Sequence, residues 1–297
     1  MGLVDTKPIL GLVEEVGGPV DMEAYESGGG YEAARNALTQ MTPEEIIGVV
    51  KDANLRGRGG AGFPTGLKWS FVPQGDAAGE GVKYLVCNGD EMEPGTFKDR
   101  YILEHNPHIL IEGMIIGAFA IQASKAYVFL RGEYHAPHRE LTKAISAAEE
   151  KGYLGKNIFG TGFDLELRIH SSGGRYICGE ETALLNALEG KRAQPRMKPP
   201  FPPASGAWGR PTIVNNVETF CNVPGILRNG VEWYQNLGAG DDAGTKIYGV
   251  SGRVNKPALW ELPIGTTIRE IIWDHACLLY TSPSPRDALL SRMPASS

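Results

Sequence analysis

The segment K-Y-L-V-C at residues 83–87 establishes the fold class, because the polar turn N-G-D-E-M-E-P-G follows it at once at residues 88–95. A short apolar run that ends in turn-forming residues is typical of a buried strand. Similar segments follow, K-A-Y-V-F-L at residues 125–130 and F-D-L-E-L-R-I at residues 163–169. Helical patterns fill the intervals, at residues 96–105, 107–123, 138–151 and 180–189. This alternation predicts an α/β fold, a mostly parallel sheet with helices on both faces.

Polar residues cluster at the carboxyl ends of these strands, where ligands of such sheets bind. Asn88, Asp90, Glu91 and Glu93 fall within six positions directly after the first strand. Carboxylates repel phosphate, but they accept hydrogen bonds from ribose or ribityl hydroxyls and from ring or carboxamide N–H groups. We therefore expect them on a different wall of a nucleotide site from the phosphate contacts. The alternative is a solvated acidic turn, since charge runs on surfaces are common.

A glycine-rich stretch precedes the first strand, R-G-R-G-G-A-G-F-P-T-G-L-K-W at residues 56–69. Glycine permits positive φ and has no Cβ, so successive amide N–H groups can close on phosphate oxygens. Arg58 and Lys68 add positive charge, and Phe63 and Trp69 can cover a flat ring. The stretch predicts a nucleotide-binding loop. A tight helix–helix connection with glycine caps is the alternative.

Gly57, Gly59 and Gly62 match the dinucleotide pattern G-x-G-x-x-G, but that fingerprint requires a strand immediately upstream. The upstream segment is instead a predicted helix, in which Thr42 is the N-cap and Glu45 completes a capping box. The Walker pattern fails too, because no lysine follows its second glycine directly. The prediction is therefore a phosphate-binding glycine loop of neither standard kind.

A second glycine-bearing segment, S-S-G-G-R-Y-I-C-G-E-E at residues 171–181, leads into a predicted helix. The basic, proline-rich loop at residues 191–203 follows it, with Phe201 inside. Opposite an acidic turn, such a loop can hold a second phosphate-bearing ligand. Further on, either Asn215 or Asn216 can cap a helix and offer a side-chain amide to a bound ring.

The composition is that of a soluble globular protein, with 42% hydrophobic and 22% charged residues in a chain of 297. A net charge of −6 argues against nucleic-acid binding, which needs a basic face. Residues 1–20 lack the apolar core of a secretory signal, so we expect a cytosolic protein. The longest apolar run, residues 109–123, is interrupted by Glu112 and is too short to span a bilayer, which indicates a buried helix.

No local metal signature is present in the sequence. The cysteines stand singly, at positions 87, 178, 221 and 277. Without a C-x-x-C pair, a local iron–sulfur or zinc site is excluded, though not one assembled from distant residues. The H-x-x-H pairs at residues 105–108 and 135–138 each enclose a proline and lack cysteine or carboxylate company, so we expect no metal there.

Four long motifs in one order carry a family resemblance. They are the glycine-rich stretch at residues 56–69, N-G-D-E-M-E-P-G-T-F-K-D-R at 88–100, G-G-R-Y-I-C-G-E-E-T-A-L-L-N-A-L-E-G at 173–190 and G-R-P-T-I-V-N-N-V-E-T at 209–219. With them the chain resembles the NADH-binding flavoprotein subunit of respiratory complex I, the F subunit of bacterial NADH:quinone oxidoreductase and its mitochondrial equivalent. Diaphorase subunits of NAD-linked hydrogenases and formate dehydrogenases share the set.

The resemblance implies a Rossmann-like but non-standard domain whose single cavity holds FMN and NADH, with hydride passing directly between them. It places FMN against Gly57, Arg58, Gly59, Lys68, Asn88, Asp90, Glu91, Tyr176, Gly179, Glu180, Asn215, Asn216 and Thr219. It places NADH against Gly60, Phe63, Phe71, Glu93, Glu181, Lys198 and Phe201, with Ala61, Gly62 and Gly66 in the same loop. No catalytic nucleophile is implied, and Glu93 and Glu181 have at most tuning roles. Gly59, Glu91, Gly179 and Asn216 should therefore converge on one cavity.

The resemblance also implies a domain order. Residues 1–40 are an extension with a lead-in helix, 41–240 the FMN- and NADH-binding domain, and 241–276 the incomplete start of a ubiquitin-like domain. The serine- and proline-rich residues 277–297 match nothing in the family, and we exclude them from fold reasoning. Full-length members bind a 4Fe–4S cluster in a later domain, and the cysteine ligands of that cluster are absent from this sequence. We therefore expect a truncated chain.

The implied partners are NADH as substrate, a thioredoxin-like 2Fe–2S subunit and the large iron–sulfur subunit of the peripheral arm, without membrane insertion or nucleic acid. The implied location is cytoplasmic, at the inner face of the bacterial membrane through those subunits. Two alternatives stay open. One is a diaphorase subunit of a hydrogenase or formate dehydrogenase, and the other is a non-catalytic remnant. Preference for NADH over NADPH follows from the family alone.

Overall fold

The computed structural model describes residues 6–74, 81–239 and 242–278, so the predicted tail at 277–297 lies outside the described residues apart from its first two. The main sheet has four strands in the order β3-β2-β1-β4, and each neighbouring pair is parallel. These strands are β1 (Tyr84–Gly89), β2 (Lys125–Leu130), β3 (Glu166–Ser171) and β4 (Thr212–Asn216). The α/β prediction and the three predicted strands are confirmed, with β1 ending later and β3 beginning later than predicted.

Strand β4 lies where the sequence predicts only a helix cap. Asn215 and Asn216 are poor strand formers, and they mask the short apolar run before them. The backbone nevertheless pairs with β1, where Val86 is the register partner of Val214 and Asn88 that of Asn216. Because the two strands are parallel, this pairing brings two asparagines to the same carboxyl edge of the sheet.

Helices surround the sheet and connect its strands. They are α1 (Gly11–Val16), α2 (Met22–Ser27), α3 (Glu32–Gln40), α4 (Pro43–Asp52), α5 (Thr65–Ser70), α6 (Lys98–His105), α7 (Pro107–Ile121), α8 (His135–Glu150), α9 (Glu181–Leu188), α10 (Val217–Asn229), α11 (Val231–Gln235) and α12 (Ile268–Glu270). Short 3-10 turns lie at Ile158–Gly160, Tyr176–Gly179 and Ala207–Gly209, and a π-helical turn at Ile271–His275. The helices predicted between the strands are confirmed, with ends displaced by a few residues, as is usual for helix termini.

The predicted start of α4 is confirmed in detail. Thr42 Oγ1 accepts a hydrogen bond from Glu45 N at 3.2 Å, and Glu45 Oε2 accepts one from Thr42 N at 2.7 Å. This reciprocal capping box satisfies two of the amide donors that a helix N-terminus leaves open. Gly190, shortly after the end of α9, adopts φ +76°, a conformation that glycine takes readily at the ends of helices.

Helices cover both faces of the sheet, and successive side chains of β1 contact the two helical layers in turn. Leu85 and Cys87 belong to the larger core, which includes most of the helices. Val86 points the other way, into a smaller core with Leu184 and Leu185 of α9. Because successive strand residues face opposite sides, this nearly continuous apolar strand is buried on both faces.

Helix α7 is the buried helix predicted from the long apolar run. All its residues except Phe119 are buried. Glu112, the charge within that run, accepts hydrogen bonds from Tyr25 Oη at 2.5 Å and from Ala34 N at 3.0 Å. Burial raises the pKa of the Glu112 carboxyl, while these hydrogen bonds lower it. Over the described residues, no helix has the length and apolar character needed to cross a membrane.

A separate antiparallel hairpin follows the main sheet. Its strands are β5 (Thr245–Val250) and β6 (Ala258–Pro263). The hairpin is attached to the larger unit by polar contacts: Arg58 Nη2 donates to Thr245 O at 2.9 Å, and Ile247 N donates to Glu218 Oε1 at 2.9 Å. Buried Glu261 of β6 also accepts from Leu10 N at 2.7 Å. The hairpin is therefore held against the glycine loop, α10 and the N-terminal helices.

Candidate functional site

A cavity of about 760 Å³ lies at the carboxyl ends of β1 and β4, a size typical of small-molecule sites. Gly59, Glu91, Gly179 and Asn216, the four residues expected to converge, all line it. Parallel pairing of β1 with β4 brings two of the contributing segments together, and the glycine loop and the turn before α9 contribute two others. The four expected residues therefore come from four segments that are distant in sequence.

The structure divides the predicted site residues into two groups. Those that line the cavity are Arg58, Gly59, Gly60, Asn88, Asp90, Glu91, Glu93, Tyr176, Gly179, Glu180 and Asn216. Those outside its lining are Gly57, Ala61, Gly62, Phe63, Gly66, Lys68, Phe71, Glu181, Lys198, Phe201, Asn215 and Thr219. Several of the second group hold the first in place.

The glycine loop connects two helices, α4 and α5, and also forms part of the cavity wall. A hydrogen bond from Gly57 N to Phe63 O at 3.0 Å joins the two ends of the loop. Gly60 adopts φ +118°, a conformation that residues other than glycine rarely take. A Cβ on Gly59 would lie 3.3 Å from Asn216 Cβ. Within the described residues, neither the Gly59 nor the Gly60 amide donates to a protein acceptor, so both donors remain available at the wall.

Arg58 is buried, and its amide and terminal guanidinium nitrogens make contacts that organise this wall, while its Nε has no hydrogen-bond partner among the described residues. Its amide donates to Thr219 Oγ1 at 2.9 Å, which fixes the loop to α10. Its guanidinium donates to Arg56 O at 2.8 Å and to Tyr234 Oη at 3.0 Å, in addition to Thr245 O. Thr219 thus supports the site from behind the cavity lining.

The acidic turn is solvated only in part, because Asp90 and Glu91 are buried whereas Glu93 is exposed. Asp90 Oδ1 accepts from Ser172 Oγ at 3.0 Å, whereas Oδ2 has no hydrogen-bond partner in the described structure. Burial raises the Asp90 pKa to about 6. These carboxylates and the glycine loop line a single cavity.

Glu91 serves the local fold as well as the cavity. Its carboxylate accepts from Asp99 N and Arg100 N, each at 3.1 Å, and from Tyr134 Oη at 2.9 Å. These contacts bind the start of α6, where free amides favour a carboxylate. Burial, followed by the neighbouring Asp99 charge, raises the Glu91 pKa.

A buried ionic network forms another part of the wall, and the sequence patterns do not predict it. Lys98 Nζ lies 2.7 Å from Asp99 Oδ1 and 2.8 Å from Glu218 Oε2. Asn216 joins the network, since its Nδ2 donates to Asp99 Oδ2 at 2.6 Å and its Oδ1 accepts from Glu218 N at 3.1 Å. Asn216, rather than Asn215, is therefore the N-cap of α10. The motif N-G-D-E-M-E-P-G-T-F-K-D-R contained the signal, because it carries both a lysine and an aspartate.

Trp69 of the glycine stretch and Asn215 of β4 contact other parts of the protein and do not line the cavity. Trp69 is fully buried, so the expectation that it covers a bound ring is wrong. Its Nε1 donates to Asn215 Oδ1 at 2.9 Å, which occupies that amide oxygen as well. Trp69 also packs near Phe220 of α10, with ring centroids 6.4 Å apart.

Charged residues predicted for the site form a chain of ion pairs beside the cavity. Lys68 Nζ lies 2.5 Å from Glu181 Oε1 and donates to Val214 O at 2.7 Å. Lys198 Nζ approaches the other oxygen of Glu181 at 3.3 Å. Glu180 caps α9, accepting from Thr182 N and Ala183 N. The glycine stretch, α9 and the basic loop are thus linked through one glutamate.

Several aromatic side chains are exposed in the segments around the cavity. Phe63, Phe71 and Phe201 are 47%, 53% and 57% exposed, which is unusual for phenylalanine. Tyr176 lines the cavity and donates through Oη to Glu93 Oε2 at 2.7 Å. Phe63 and Phe71 lie near each other, with centroids 6.3 Å apart. Exposed flat surfaces of this kind can stack against a planar ligand.

The β5–β6 hairpin contributes lining residues from a segment that the sequence assigns to a separate domain. They are Lys246, Ile247, Tyr248, Gly249 and Leu259, and the remaining unpredicted lining residues are Met92, Gly95, Thr96, Phe97, Lys98, Asp99 and Ile177. No sequence motif marks the hairpin residues, because only tertiary packing brings them to the cavity. Among the described residues no group of histidine, cysteine and carboxylate side chains is arranged for a metal.

Comparison with known proteins shows what the chain is similar to. The family profile described as the Nuo51 FMN-binding domain matches residues 50–225. The F subunit of NADH-quinone oxidoreductase from Escherichia coli (strain K12) is 60% identical over 272 residues, which is 92% of this chain and 61% of that protein. The protein of the same name in Salmonella typhimurium (strain LT2) is 60% identical, with the same coverage of 92% and 61%. The chain spans about three fifths of the length of these curated relatives.

The chain is also similar to part of a solved structure. The crystal structure of an NAD+-reducing NiFe-hydrogenase in the air-oxidized state contains a chain that is 43% identical, with a TM-score of 0.70. The match covers 80% of this chain and 39% of the hydrogenase chain. Since the profile matches more than half of its residues, the chain belongs to the family of the Nuo51 FMN-binding domain.

Proposed function

We propose that the cavity binds FMN together with NADH, and that the chain acts as the NADH-oxidising flavoprotein subunit of an NADH:quinone oxidoreductase. The observation that carries this proposal is the convergence of a glycine loop with available amides and a buried carboxylate oxygen without a partner in one cavity of about 760 Å³. Amide donors without an acceptor suit a phosphate, and a carboxylate oxygen without a donor suits hydroxyl or N–H groups. Together they fit a ligand with a phosphate at one end and hydroxyl or N–H groups elsewhere. Family membership and the 60% identity to the Escherichia coli protein point the same way.

The residues present fit FMN. The amides of Gly59 and Gly60 and the N-terminus of α10 suit its phosphate. Asp90 Oδ2, which has no partner among the described residues, suits a ribityl hydroxyl or a ring N–H. Asn88, whose Nδ2 donates to Gly179 O at 2.8 Å, holds the β1 end against the turn before α9. Bound FMN supplies the chemistry, since it accepts a hydride and releases electrons singly.

NADH would occupy the outer part of the site, near the exposed aromatic side chains. Phe63, Phe71 and Phe201 present stacking surfaces for flat rings. Lys198 and Glu181, already linked to each other, provide charge and hydroxyl acceptors there. The protein's contribution is to orient the two rings and to exclude water, and it requires no protein acid or base. Gly57, Lys68, Asn215 and Thr219 act through their neighbours, as positioning residues.

The assembly and domain order follow as part of this proposal. Residues 41–240 form the FMN- and NADH-binding domain and residues 241–276 begin a ubiquitin-like domain, with the β5–β6 hairpin at its start. Electron output would run through iron–sulfur partner subunits of a peripheral arm, which hold the protein at the cytoplasmic face of the membrane. The similarity to the F subunit of Escherichia coli supports this assignment.

A diaphorase subunit of an NAD-linked hydrogenase is the second candidate, favoured by the 43% identity to the hydrogenase chain. The higher identity to the quinone oxidoreductase protein, 60%, favours the first assignment. Co-purification from the native source distinguishes the two. Recovery of a NiFe subunit with this chain would contradict the first assignment.

The proposed function is tested by reconstituting the purified chain with FMN and adding NADH without oxygen. We expect a flavin absorbance band that bleaches on NADH addition. Gly59→Leu should abolish flavin binding, because the new side chain starts 3.3 Å from Asn216 Cβ and extends into the site. Gly48→Ala, where the added Cβ meets no atom within 4 Å apart from its own stretch of helix, is the control. Absence of flavin binding contradicts the proposal, and binding without bleaching indicates a non-catalytic protein.

Cofactor preference provides a second test. Glu93 and Glu181 would repel the additional phosphate of NADPH if they face the adenosine ribose. Glu93→Gln and Glu181→Gln should therefore raise the rate with NADPH relative to NADH, and exposed Glu150→Gln on α8 serves as control. An unchanged ratio of the NADPH rate to the NADH rate in both variants would show that these carboxylates do not face the adenosine ribose.

A further inference from the structure

We propose that Lys246, on the β5–β6 hairpin, supplies the positive charge that faces the phosphate of bound FMN. This inference rests on the proposed function and adds a residue outside the matched family region, which ends at residue 225. It makes the hairpin part of the flavin site, and not merely the beginning of a neighbouring domain.

The charge balance of the cavity calls for such a residue. Five carboxyl-bearing residues line it, namely Asp90, Glu91, Glu93, Asp99 and Glu180. The cations of the lining are Arg58, Lys98 and Lys246. A phosphate monoester carries a charge of about −1.5 to −2 near neutral pH. A ligand with that charge needs a cation that can reach it without giving up ion pairs or hydrogen bonds within the protein.

Two of the three cations are committed. The Arg58 guanidinium donates to the carbonyl oxygens of Arg56 and Thr245 and to the Tyr234 hydroxyl. Lys98 lies within 2.8 Å of two carboxylates, Asp99 and Glu218. Freeing Lys98 for a ligand would leave buried carboxylates unpaired, which is costly. Arg58 has no ion-pair partner among the described residues, but moving its guanidinium to a phosphate would break its hydrogen bonds to the loop and to the hairpin.

Lys246 is differently placed. It lines the cavity and is solvent-exposed, and no ion pair joins it to any other residue that the structure describes. Lys246 Nζ lies 5.8 Å from the centre of the Tyr248 ring. Strand alternation explains this arrangement, because Lys246 and Tyr248 share one face of β5 while Thr245 and Ile247 are buried.

The backbone on either side of Lys246 is anchored to the elements that carry the available amides. Thr245 O accepts from Arg58, the residue directly before Gly59. Ile247 N donates to Glu218, in the first turn of α10. Lys246 therefore stands between the glycine loop and the α10 N-terminus, the two features suited to an anion. A flexible ammonium group on a fixed strand is well placed to contact a phosphate there.

The test compares FMN with riboflavin, which lacks the phosphate, in fluorescence titrations of the purified chain. Lys246→Met should weaken FMN binding about tenfold at low salt, equivalent to about 1.4 kcal/mol, and leave riboflavin binding unchanged. The loss should shrink as salt is added, because Lys246 is exposed. Lys246→Arg should retain most of the FMN affinity. Lys256→Met, an exposed lysine between the hairpin strands and outside the cavity lining, is the control.

The outcomes separate this inference from the proposed function. Equal FMN affinity in wild type and Lys246→Met would overturn the role of Lys246 alone. An equal loss for FMN and riboflavin would show a structural effect and overturn it as well, as would a loss in Lys246→Arg as large as in Lys246→Met. Failure of the wild-type chain to bind FMN would overturn both.

Discussion

Replacing Glu261 by glutamine should remove a pH dependence of stability that the buried carboxyl imposes on the folded chain. Glu261 is 2% exposed. Its carboxylate accepts hydrogen bonds from Ile9 N at 3.0 Å, Leu10 N at 2.7 Å and Thr245 Oγ1 at 2.6 Å. Glutamine has the same shape without a charge. Its oxygen can accept from the backbone amides, and its amide can donate to the threonine hydroxyl.

The size of the effect follows from the pKa. Burial is the largest cause that raises the Glu261 pKa from 4.5 to about 7, and the hydrogen bonds oppose it. A folded-state pKa above the unfolded value means that the contribution to stability is fully present below pH 4.5 and is lost as the pH rises through about 7. At about 1.36 kcal/mol per pH unit, this interval corresponds to about 3 kcal/mol.

The assay is urea unfolding of wild type and Glu261→Gln, followed by far-UV circular dichroism between about pH 4.5 and about pH 8. The quantity of interest is the wild-type free energy of unfolding minus that of the variant. It should fall by about 3 kcal/mol across this range, so that the variant gains relative stability as the pH rises. Glu150→Gln, at an exposed position of α8, is the control for a generic charge effect. A difference between wild type and Glu261→Gln that stays constant with pH would show that burial does not raise this pKa.

Two further changes test packing and buried charge. Gly66→Ala should destabilise the chain by about 1–3 kcal/mol or more, because the new Cβ would lie 2.4 Å from Lys51 N. Gly48→Ala, in an open position of α4, should instead stabilise it by about 0.5–1 kcal/mol, and equal effects in chemical denaturation would contradict the steric argument. Lys98→Met should cost about 3–5 kcal/mol, because it leaves two buried carboxylates without their cation. Lys143→Met, which breaks an exposed pair on α8, should cost at most about 0.5 kcal/mol in the same assay, and a similarly small loss at Lys98 would be inconsistent with a buried network.

Local sequence signals identified most of the regular elements. The capping box of Thr42 and Glu45 and the apolar runs of β1 and β2 depend on neighbouring residues, so they can be recognised without tertiary context. Strand β4 was not predicted because its last residues are poor strand formers, and only pairing with β1 holds it extended. The same limit applies to Trp69. An aromatic ring in a glycine-rich loop looks available for stacking, but packing against Phe220 buries it.

Local composition and periodicity are enough to establish the α/β class, the glycine loop and the order of the polar segments. Which polar groups remain available to a ligand depends instead on how the chain packs. Asp90 and Glu91 are adjacent in sequence, yet one has an oxygen without a partner among the described residues and the other is occupied by the start of α6. Lys98 and Lys246 both line the cavity, yet ion pairs with described carboxylates hold only the first. Hydrogen-bond satisfaction and charge pairing depend on contacts between distant segments, which no local pattern records.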